Sequence, residues 1–226
     1  MNYRRIVPNS ISGLSLVLGV LSIFKTFEAD YFWASILIIL AILADACDGR
    51  AARLLKCQGE FGVQLDSLCD LGSFGMAPAV LIYEYALKDL GLWGQIAAAL
   101  YVFAGAMRLA RFNVNTASVH GYFQGMPIPA GACCLASYVL SGFNFGSFAS
   151  LFLTLGVAVL LYSLVKFPDC KGKGNPLSPL GLPSVIIAVI LGAGLLYLRP
   201  EGWAFVLMFV YTLAGVLNFF YEVLKK

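Results

Sequence analysis

Long apolar runs separated by short polar connectors make up most of this chain. Eight such segments cover residues 11–27, 31–57, 62–87, 92–113, 127–142, 146–166, 180–198 and 202–223. Most contain the roughly 20 residues that a helix needs to cross the ~30 Å hydrocarbon layer of a bilayer. The alternating segments of about ten residues that build membrane β-barrels do not occur. The pattern predicts an all-α, polytopic integral membrane protein with about eight transmembrane helices.

The composition supports this prediction. Of the 226 residues, 60% are hydrophobic and only 12% are charged, and the mean hydropathy of +0.85 is far above that of a soluble domain. We expect one membrane domain over residues 1–226, with a core of about 1–166 and two additional C-terminal helices at 180–223. We expect no nucleic-acid partner.

The basic residues lie mostly on one side of the eight predicted helices. Three of the fifteen fall on the far side, namely Lys25, Lys88 and Arg199. The other twelve, including those near both ends of the chain, fall on the side of the termini. Because cytoplasmic loops carry an excess of Lys and Arg, both termini should be cytoplasmic. We expect the protein in the cell (inner) membrane and its first segment to be a membrane helix, not a cleaved signal.

Four aspartates are concentrated between residues 45 and 70, where the second and third predicted helices meet. Asp45 and Asp48 are three residues apart, and Asp66 and Asp70 are four apart. Each pair therefore lies on one face of its helix. Because a short turn makes the two helices antiparallel neighbours, the two pairs can converge at the cytoplasmic side of the membrane.

Four converging carboxylates at low dielectric must either take up protons or bind cations. Their oxygens suit hard divalent ions such as Mg²⁺ or Mn²⁺. Two such ions would neutralise the cluster and leave coordination positions for a diphosphate. Gly49, Ala52 and Gly62 remove side-chain bulk beside the carboxylates, so a ligand can approach. Arg53 can contact a phosphate or pair with a carboxylate.

Three alternatives remain for this cluster. It could be a structural hydrogen-bonding element, an ion-transport site, or the site of a Mg²⁺-dependent membrane prenyltransferase. Transport sites usually lie near the bilayer midplane, often on broken helices, whereas these aspartates begin near a helix end. Prenyltransferase motifs lie far apart in sequence, whereas here the carboxylates fall within one short stretch.

The spacing also resembles the signature of a known family, the CDP-alcohol phosphatidyltransferases. The matching pattern is Asp45-x-x-Asp48-Gly49-x-x-Ala52-Arg53, then eight residues, then Gly62-x-x-x-Asp66-x-x-x-Asp70. Pro8-Asn9, just before the first apolar segment, also resembles the N-terminal juxtamembrane region of that family.

The resemblance implies an enzyme that transfers a phosphatidyl group from CDP-diacylglycerol to an alcohol, and a homodimer. It implies that Asp45, Asp48 and Asp66 ligate two divalent ions, and that Asp70 contributes a ligand and acts as the catalytic base. It also implies binding of the CDP-lipid by a further set of residues, namely Asn9, Gly49, Ala52, Arg53 and Gly62.

Two downstream segments indicate the acceptor. Residues 107–114 (MRLARFNV) and 122–132 (YFQGMPIPAGA) resemble the branch of the family that uses L-serine. Arg108 and Arg111 could bind the carboxylate of serine through their guanidinium groups, or they could be membrane-surface anchors. A glycerol-phosphate acceptor would also favour arginines, so a phosphatidylglycerophosphate-forming enzyme remains an alternative. An archaeal-type lipid substrate, as in archaetidylserine synthesis, is another.

Overall fold

Eight apolar helices build the described part of the chain, which comprises residues 6–54, 59–115, 122–142, 144–163, 165–168, 182–198 and 202–224 of a computed structural model. They are α1 (Ile6–Phe27), α2 (Tyr31–Leu54), α3 (Glu60–Leu90), α4 (Leu92–Asn115), α5 (Ile128–Leu140), α6 (Ser147–Tyr162), α7 (Leu182–Leu198) and α8 (Trp203–Leu224). The predicted all-α, polytopic membrane class is confirmed.

The helices differ in how far they reach. Within the described ranges, five are long and apolar enough to cross a membrane, namely α1, α2, α3, α4 and α8. The apolar parts of the other three are shorter and cover Ile128–Leu140, Ser147–Tyr162 and Val185–Gly194. The shorter helices coincide with three of the predicted segments. The observed α1 begins at Ile6, before the predicted start at 11. Proline is tolerated at position 8 because the backbone N–H groups of a first helical turn make no hydrogen bond within the helix.

Helix α1 buries its small side chains and exposes its large ones. Its buried positions recur every three or four residues, and they are Pro8, Ser12, Ser15, Gly19, Ser22 and Thr26. Small residues let helix backbones approach closely within a bilayer, where lipid satisfies the large apolar side chains. A Cβ added at Gly19 would lie 2.7 Å from the Cα of Ser73 in α3, so this approach requires glycine.

Helix α3 departs from regular α-geometry directly after its aspartates. Residues Leu71–Met76 and Tyr83–Leu87 form π-helical turns. In an α-helix the carbonyl of Phe74 would accept from the N–H of residue 78, but that residue is Pro78 and has none. The buried hydroxyl of Tyr101 in α4 donates to Phe74 O instead, at 2.9 Å. This hydrogen bond holds α4 against the part of α3 that follows Asp66 and Asp70.

Helix α5 lies at the centre of the bundle and is buried along most of its length. It packs against α2 on one side and α8 on another. Tyr138 of α5 contacts the ring of Phe205 in α8, with centroids 5.4 Å apart. Its hydroxyl forms a 2.9 Å hydrogen bond with that of Ser150 in α6. Helix α8 therefore packs onto the same core as the helices that carry the aspartates, and α7 packs against α8.

The hydrophobic pattern did not predict two three-residue strands, one of which precedes α5 while the other follows α6. Strand β1 (Tyr122–Gln124) pairs antiparallel with β2 (Lys166–Pro168). Gly125 follows β1 with a φ of +83°, a conformation that favours glycine, and its N–H donates to Val165 O. The predicted sixth segment ran to residue 166, whereas α6 ends at Tyr162 because the chain turns there into this pairing.

Candidate functional site

Three carboxylates meet where α2 and α3 run antiparallel. Asp45, Asp48 and Asp66 each offer an oxygen, and these oxygens all lie within 4.8 Å of one another. Asp48 is 6% exposed, and the other two are half-buried. Helical spacing places Asp45 and Asp48 on one face of α2, and the antiparallel packing brings Asp66 to that face. The chain thus concentrates negative charge at one partly dehydrated point.

Asp70 extends the cluster further along α3. It is 9% exposed, and its side chain is in hydrogen-bonding contact with Asp45. It also interacts electrostatically with Asp66 and with Arg108 of α4. Two acidic side chains in contact need a proton or a cation between them. Asp70 therefore lies between the three clustered carboxylates and the positive charge of Arg108.

The cluster fits a divalent ion by both spacing and chemistry. Ligands of an octahedral Mg²⁺ are ~2.9 Å apart when adjacent and ~4.2 Å apart when opposite, and the three carboxylate oxygens lie within 4.8 Å of one another. An all-oxygen donor set suits Mg²⁺ or Mn²⁺ better than softer metals. Asp45, Asp48 and Asp66 could therefore share an ion with little rearrangement, and Asp70 lies close enough to Asp45 to contribute to the same site.

Of the residues expected to bind the CDP-lipid, the structure brings two together. Asn9 of α1 and Gly62 of α3 face each other, since a Cβ added at Gly62 would lie 3.6 Å from Asn9 Oδ1. A side chain at position 62 would therefore narrow the space beside Asn9. Gly49, Ala52 and Arg53 belong to the last turns of α2, and the environment of their side chains lies outside the described part of the chain.

Two hydrogen bonds to this region were not anticipated from the sequence. Ser12 of α1 donates to Asp48 Oδ2 at 2.5 Å, and Asn113 of α4 donates to Ser67 Oγ at 2.9 Å. Ser67 lies beside Asp66 in the sequence, so this second bond ties α4 to the carboxylate-bearing turn of α3. Ser12 could have been noticed as part of the recurrent small residues of α1, but that pattern does not identify its partner.

The two candidate serine-binding arginines lie in different surroundings. Arg108 is 8% exposed, lies 5.6 Å from the ring centroid of Phe112, and interacts electrostatically with Asp70 and Asp45. Tyr211 of α8 also interacts with it. Arg108 is thus a buried cation at the edge of the carboxylate cluster.

Arg111 makes its hydrogen bonds to the end of α6. Its guanidinium donates to Tyr162 O at 2.8 Å and to Ser163 O at 3.2 Å. It also lies 4.8 Å from the ring centroid of Tyr162. A cation at a helix C-terminus satisfies carbonyl groups that have no partner within the helix. These contacts give Arg111 a structural role beside β1 and β2.

Known sequences match the chain over most of its length. The family described as CDP-alcohol phosphatidyltransferase matches residues 5–163. This range contains α1 to α6 and all four aspartates, and it ends before α7 and α8. The two C-terminal helices lie beyond this matched range.

Three relatives illustrate the similarity. The chain is 33% identical to the "CDP-diacylglycerol--serine O-phosphatidyltransferase" of Helicobacter pylori, over 100% of this chain and 95% of the relative. It is 34% identical to the Bacillus subtilis protein of the same name, over 76% of this chain and 93% of the relative. It is 37% identical to the "Archaetidylserine synthase" of Methanothermobacter thermautotrophicus, over 74% and 72% of the respective lengths.

Proposed function

Since the chain belongs to the CDP-alcohol phosphatidyltransferase family, we propose that it transfers the phosphatidyl group of CDP-diacylglycerol to L-serine. The products are phosphatidylserine and CMP. The observation that carries this proposal is the convergence of the family's aspartates beside a buried cation, Arg108. The choice of serine rests on the names of the relatives, two of which specify serine as the group transferred to.

Asp45, Asp48 and Asp66 hold the divalent ions in this proposal, and Asp70 contributes a further ligand. Bound Mg²⁺ or Mn²⁺ would supply positive charge that stabilises the diphosphate as its bridging bond breaks. Two ions match the formal charge of the four aspartates. Carboxylates fixed on two packed helices need little reorganisation to take up such ions.

Asp70 acts as the base in this proposal. The oxygen of the serine hydroxyl forms a bond to the phosphorus that carries the diacylglycerol, and the bond from that phosphorus to the bridging oxygen of CMP breaks. The hydroxyl proton passes to the Asp70 carboxylate as the new bond forms. Because Asp70 lies at the end of the cluster nearest Arg108, acceptor and base meet on the side of α4.

Arg108 binds the carboxylate of the incoming serine. The Arg108 guanidinium interacts with Asp70, where the acceptor meets the base, and its positive charge attracts the carboxylate of serine. Its planar guanidinium can form two parallel hydrogen bonds to a carboxylate, which places the hydroxyl of the acceptor as well as holding it. Burial strengthens this attraction because little water competes for either charge.

The membrane setting follows from the helices, and its orientation is part of the proposal. The excess of basic residues on the side of the aspartates supports a site that opens to the cytoplasm, with both termini on that side. We propose that the protein resides in the cell (inner) membrane. The single domain over residues 1–226 and the homodimer stay predictions.

A direct assay tests the proposed acceptor. Membranes containing the protein are supplied with CDP-diacylglycerol and, separately, with labelled serine, glycerol 3-phosphate, inositol or choline. We expect labelled lipid from serine alone, with stoichiometric CMP. Transfer to glycerol 3-phosphate instead would contradict the serine assignment and retain the family reaction. Product formation without a cytidine nucleotide would contradict both.

The archaeal relative supports one alternative for the lipid part of the CDP-activated donor. Its name also specifies a serine product, so it leaves the acceptor unchanged and replaces the diacyl lipid by an ether lipid. The same assay with a CDP-activated ether lipid distinguishes the two donors. We expect faster transfer from the diacyl donor, because the relative matched over the full chain is named for that lipid.

A further inference from the structure

We propose that Ser12 is a positioning residue of the metal site, whose hydroxyl holds the Asp48 carboxylate in the orientation that binds a divalent ion. The inference rests on the proposed metal dependence and adds a residue from a different helix. Ser12 Oγ lies 2.5 Å from Asp48 Oδ2, and both side chains are buried. Ser12 itself is not a metal ligand in this arrangement.

The direction of this hydrogen bond follows from its two candidate acceptors. The hydroxyl of Ser12 is 3.2 Å from Pro8 O in its own helix and 2.5 Å from Asp48 Oδ2. It has a single proton to donate. Hydrogen bonds to ionised acceptors are shorter and stronger than those to neutral carbonyls. The proton therefore points at Asp48, and the carboxylate accepts it.

A hydrogen bond to one carboxylate oxygen of Asp48 fixes the positions of both of its oxygens. A carboxylate turns about its Cβ–Cγ bond, so a donor held at one oxygen sets the plane of the whole group. Asp45 and Asp66 repel Asp48 while no cation is bound, and that repulsion favours turning it away. The Ser12 hydroxyl opposes this rotation. Loss of such outer partners of metal ligands typically costs 10–100-fold in metal affinity.

The first turns of α1 contact both carboxylate-bearing helices. Ser12 bonds Asp48 of α2, and Asn9, one turn earlier, lies against Gly62 of α3. The same helix surface thus contacts both helices that supply the ligands. This gives α1 a function in the site although it carries no acidic residue in its described range.

Binding of Mn²⁺ by the purified full-length chain tests the inference, with free Mn²⁺ followed by electron paramagnetic resonance. Ser12→Thr and Ser12→Val have nearly equal volumes and differ in the hydroxyl. Ser12→Ala provides the same comparison if a branched side chain does not fit. Ser22→Ala is the matched control, because that buried serine of α1 donates to a backbone carbonyl, Ala34 O, at 2.8 Å.

We expect Ser12→Thr and Ser22→Ala to bind Mn²⁺ like the unaltered protein, and Ser12→Val and Ser12→Ala to bind it at least about tenfold more weakly. Tight binding of Mn²⁺ by both the Thr and the Val variant would overturn the inference. If both bind it weakly, Ser12→Ala and Ser22→Ala are compared instead, and equal losses in those two would overturn the inference, since packing alone would then explain them. Failure of the unaltered protein to bind Mn²⁺ would instead reject the proposed metal dependence, on which the inference rests.

Discussion

The guanidinium of Arg111 stacks on the ring of Tyr162, 4.8 Å from its centroid, and donates a 2.8 Å hydrogen bond to the carbonyl oxygen of the same residue. Arg108, one turn earlier on α4, interacts with Asp70 instead. Two arginines that look equivalent in the sequence therefore have different partners. The expected contact between Arg111 and serine stays a prediction, and the contacts favour Arg108 for that function.

Lysine substitutions separate the two arginines. Arg108→Lys keeps a positive charge but loses the two-pronged guanidinium, so the apparent KM for serine should rise roughly tenfold or more while that for CDP-diacylglycerol changes little. Arg111→Lys should lower the melting temperature and leave the ratio of the two KM values unchanged. Steady-state kinetics with each substrate varied in turn measures both. A rise in the serine KM alone for Arg111→Lys would reverse the assignment.

Removal of divalent ions should abolish the transfer. The clustered carboxylates of Asp45, Asp48 and Asp66 repel a diphosphate, so divalent cations are needed between the two groups of negative charge. We expect EDTA to stop product formation, and Mn²⁺ or Mg²⁺ in excess to restore it. Ca²⁺, which prefers longer bonds and more ligands, should restore less. Full activity in the chelator would refute the metal site.

Replacement of Asp70 by asparagine should affect the rate more than binding. Asp70→Asn keeps the shape of the side chain but removes the proton acceptor, and a general base typically contributes ~10²–10⁴-fold. We expect kcat to fall by that factor while labelled CDP-diacylglycerol still binds. Asp89→Asn, at an exposed position in the last turn of α3, is the matched control and should retain full activity. A mere loss of lipid binding would assign Asp70 to the donor site.

The orientation of the site can be read from two single-cysteine variants of an otherwise cysteine-free protein. One retains Cys57, which lies between Asp48 and Asp66 in the sequence, and the other carries Asp89→Cys in the last turn of α3, at the end away from the aspartates. A membrane-impermeant thiol reagent should label Asp89→Cys in right-side-out vesicles and Cys57 in inverted ones. The reverse pattern would place the site outside the cytoplasm.

Tyr101→Phe should destabilise the protein although it removes one oxygen atom. The lost hydroxyl leaves Phe74 O without its donor beside Pro78, and a buried polar group without a partner costs ~1–3 kcal/mol. The melting temperature in detergent should fall accordingly. Tyr197→Phe, at a side chain that is 88% exposed, is the control and should melt like the unaltered protein. Equal melting of both variants would mean that Phe74 O finds another donor.

The helical fold could be predicted because transmembrane helices leave a local signal. An apolar run of sufficient length identifies each one without knowledge of its neighbours. The convergence of the aspartates was also accessible, since short turns force consecutive helices to be antiparallel. The boundaries were less accurate: α1 begins at Ile6 and α6 ends at Tyr162, because Pro8 and the β1–β2 pairing matter there more than hydrophobicity.

The remaining features depend on contacts between distant parts of the chain. The bond between Ser12 and Asp48 spans 36 positions, and that between Asn113 and Ser67 spans 46. Serine and asparagine have many possible partners, so neither spacing nor composition identifies which one is used. The strands at 122–124 and 166–168 are too short to produce a periodic signal, and their pairing appears only once α5 and α6 are packed.

The hydroxyl-bearing face of α1 has a consequence for how the protein is made. Helix α1 is synthesised before α2 and α3, so for a time this face meets lipid instead of protein. Ser12 already has an acceptor in its own helix, Pro8 O at 3.2 Å, and Thr26 bonds Ser22 O at 2.9 Å. The newborn helix can thus satisfy these hydroxyls by itself in the bilayer. We expect the proton of the Ser12 hydroxyl to turn from Pro8 O to Asp48 Oδ2 as α2 packs against α1, so that the bundle assembles and the carboxylate is oriented in the same step.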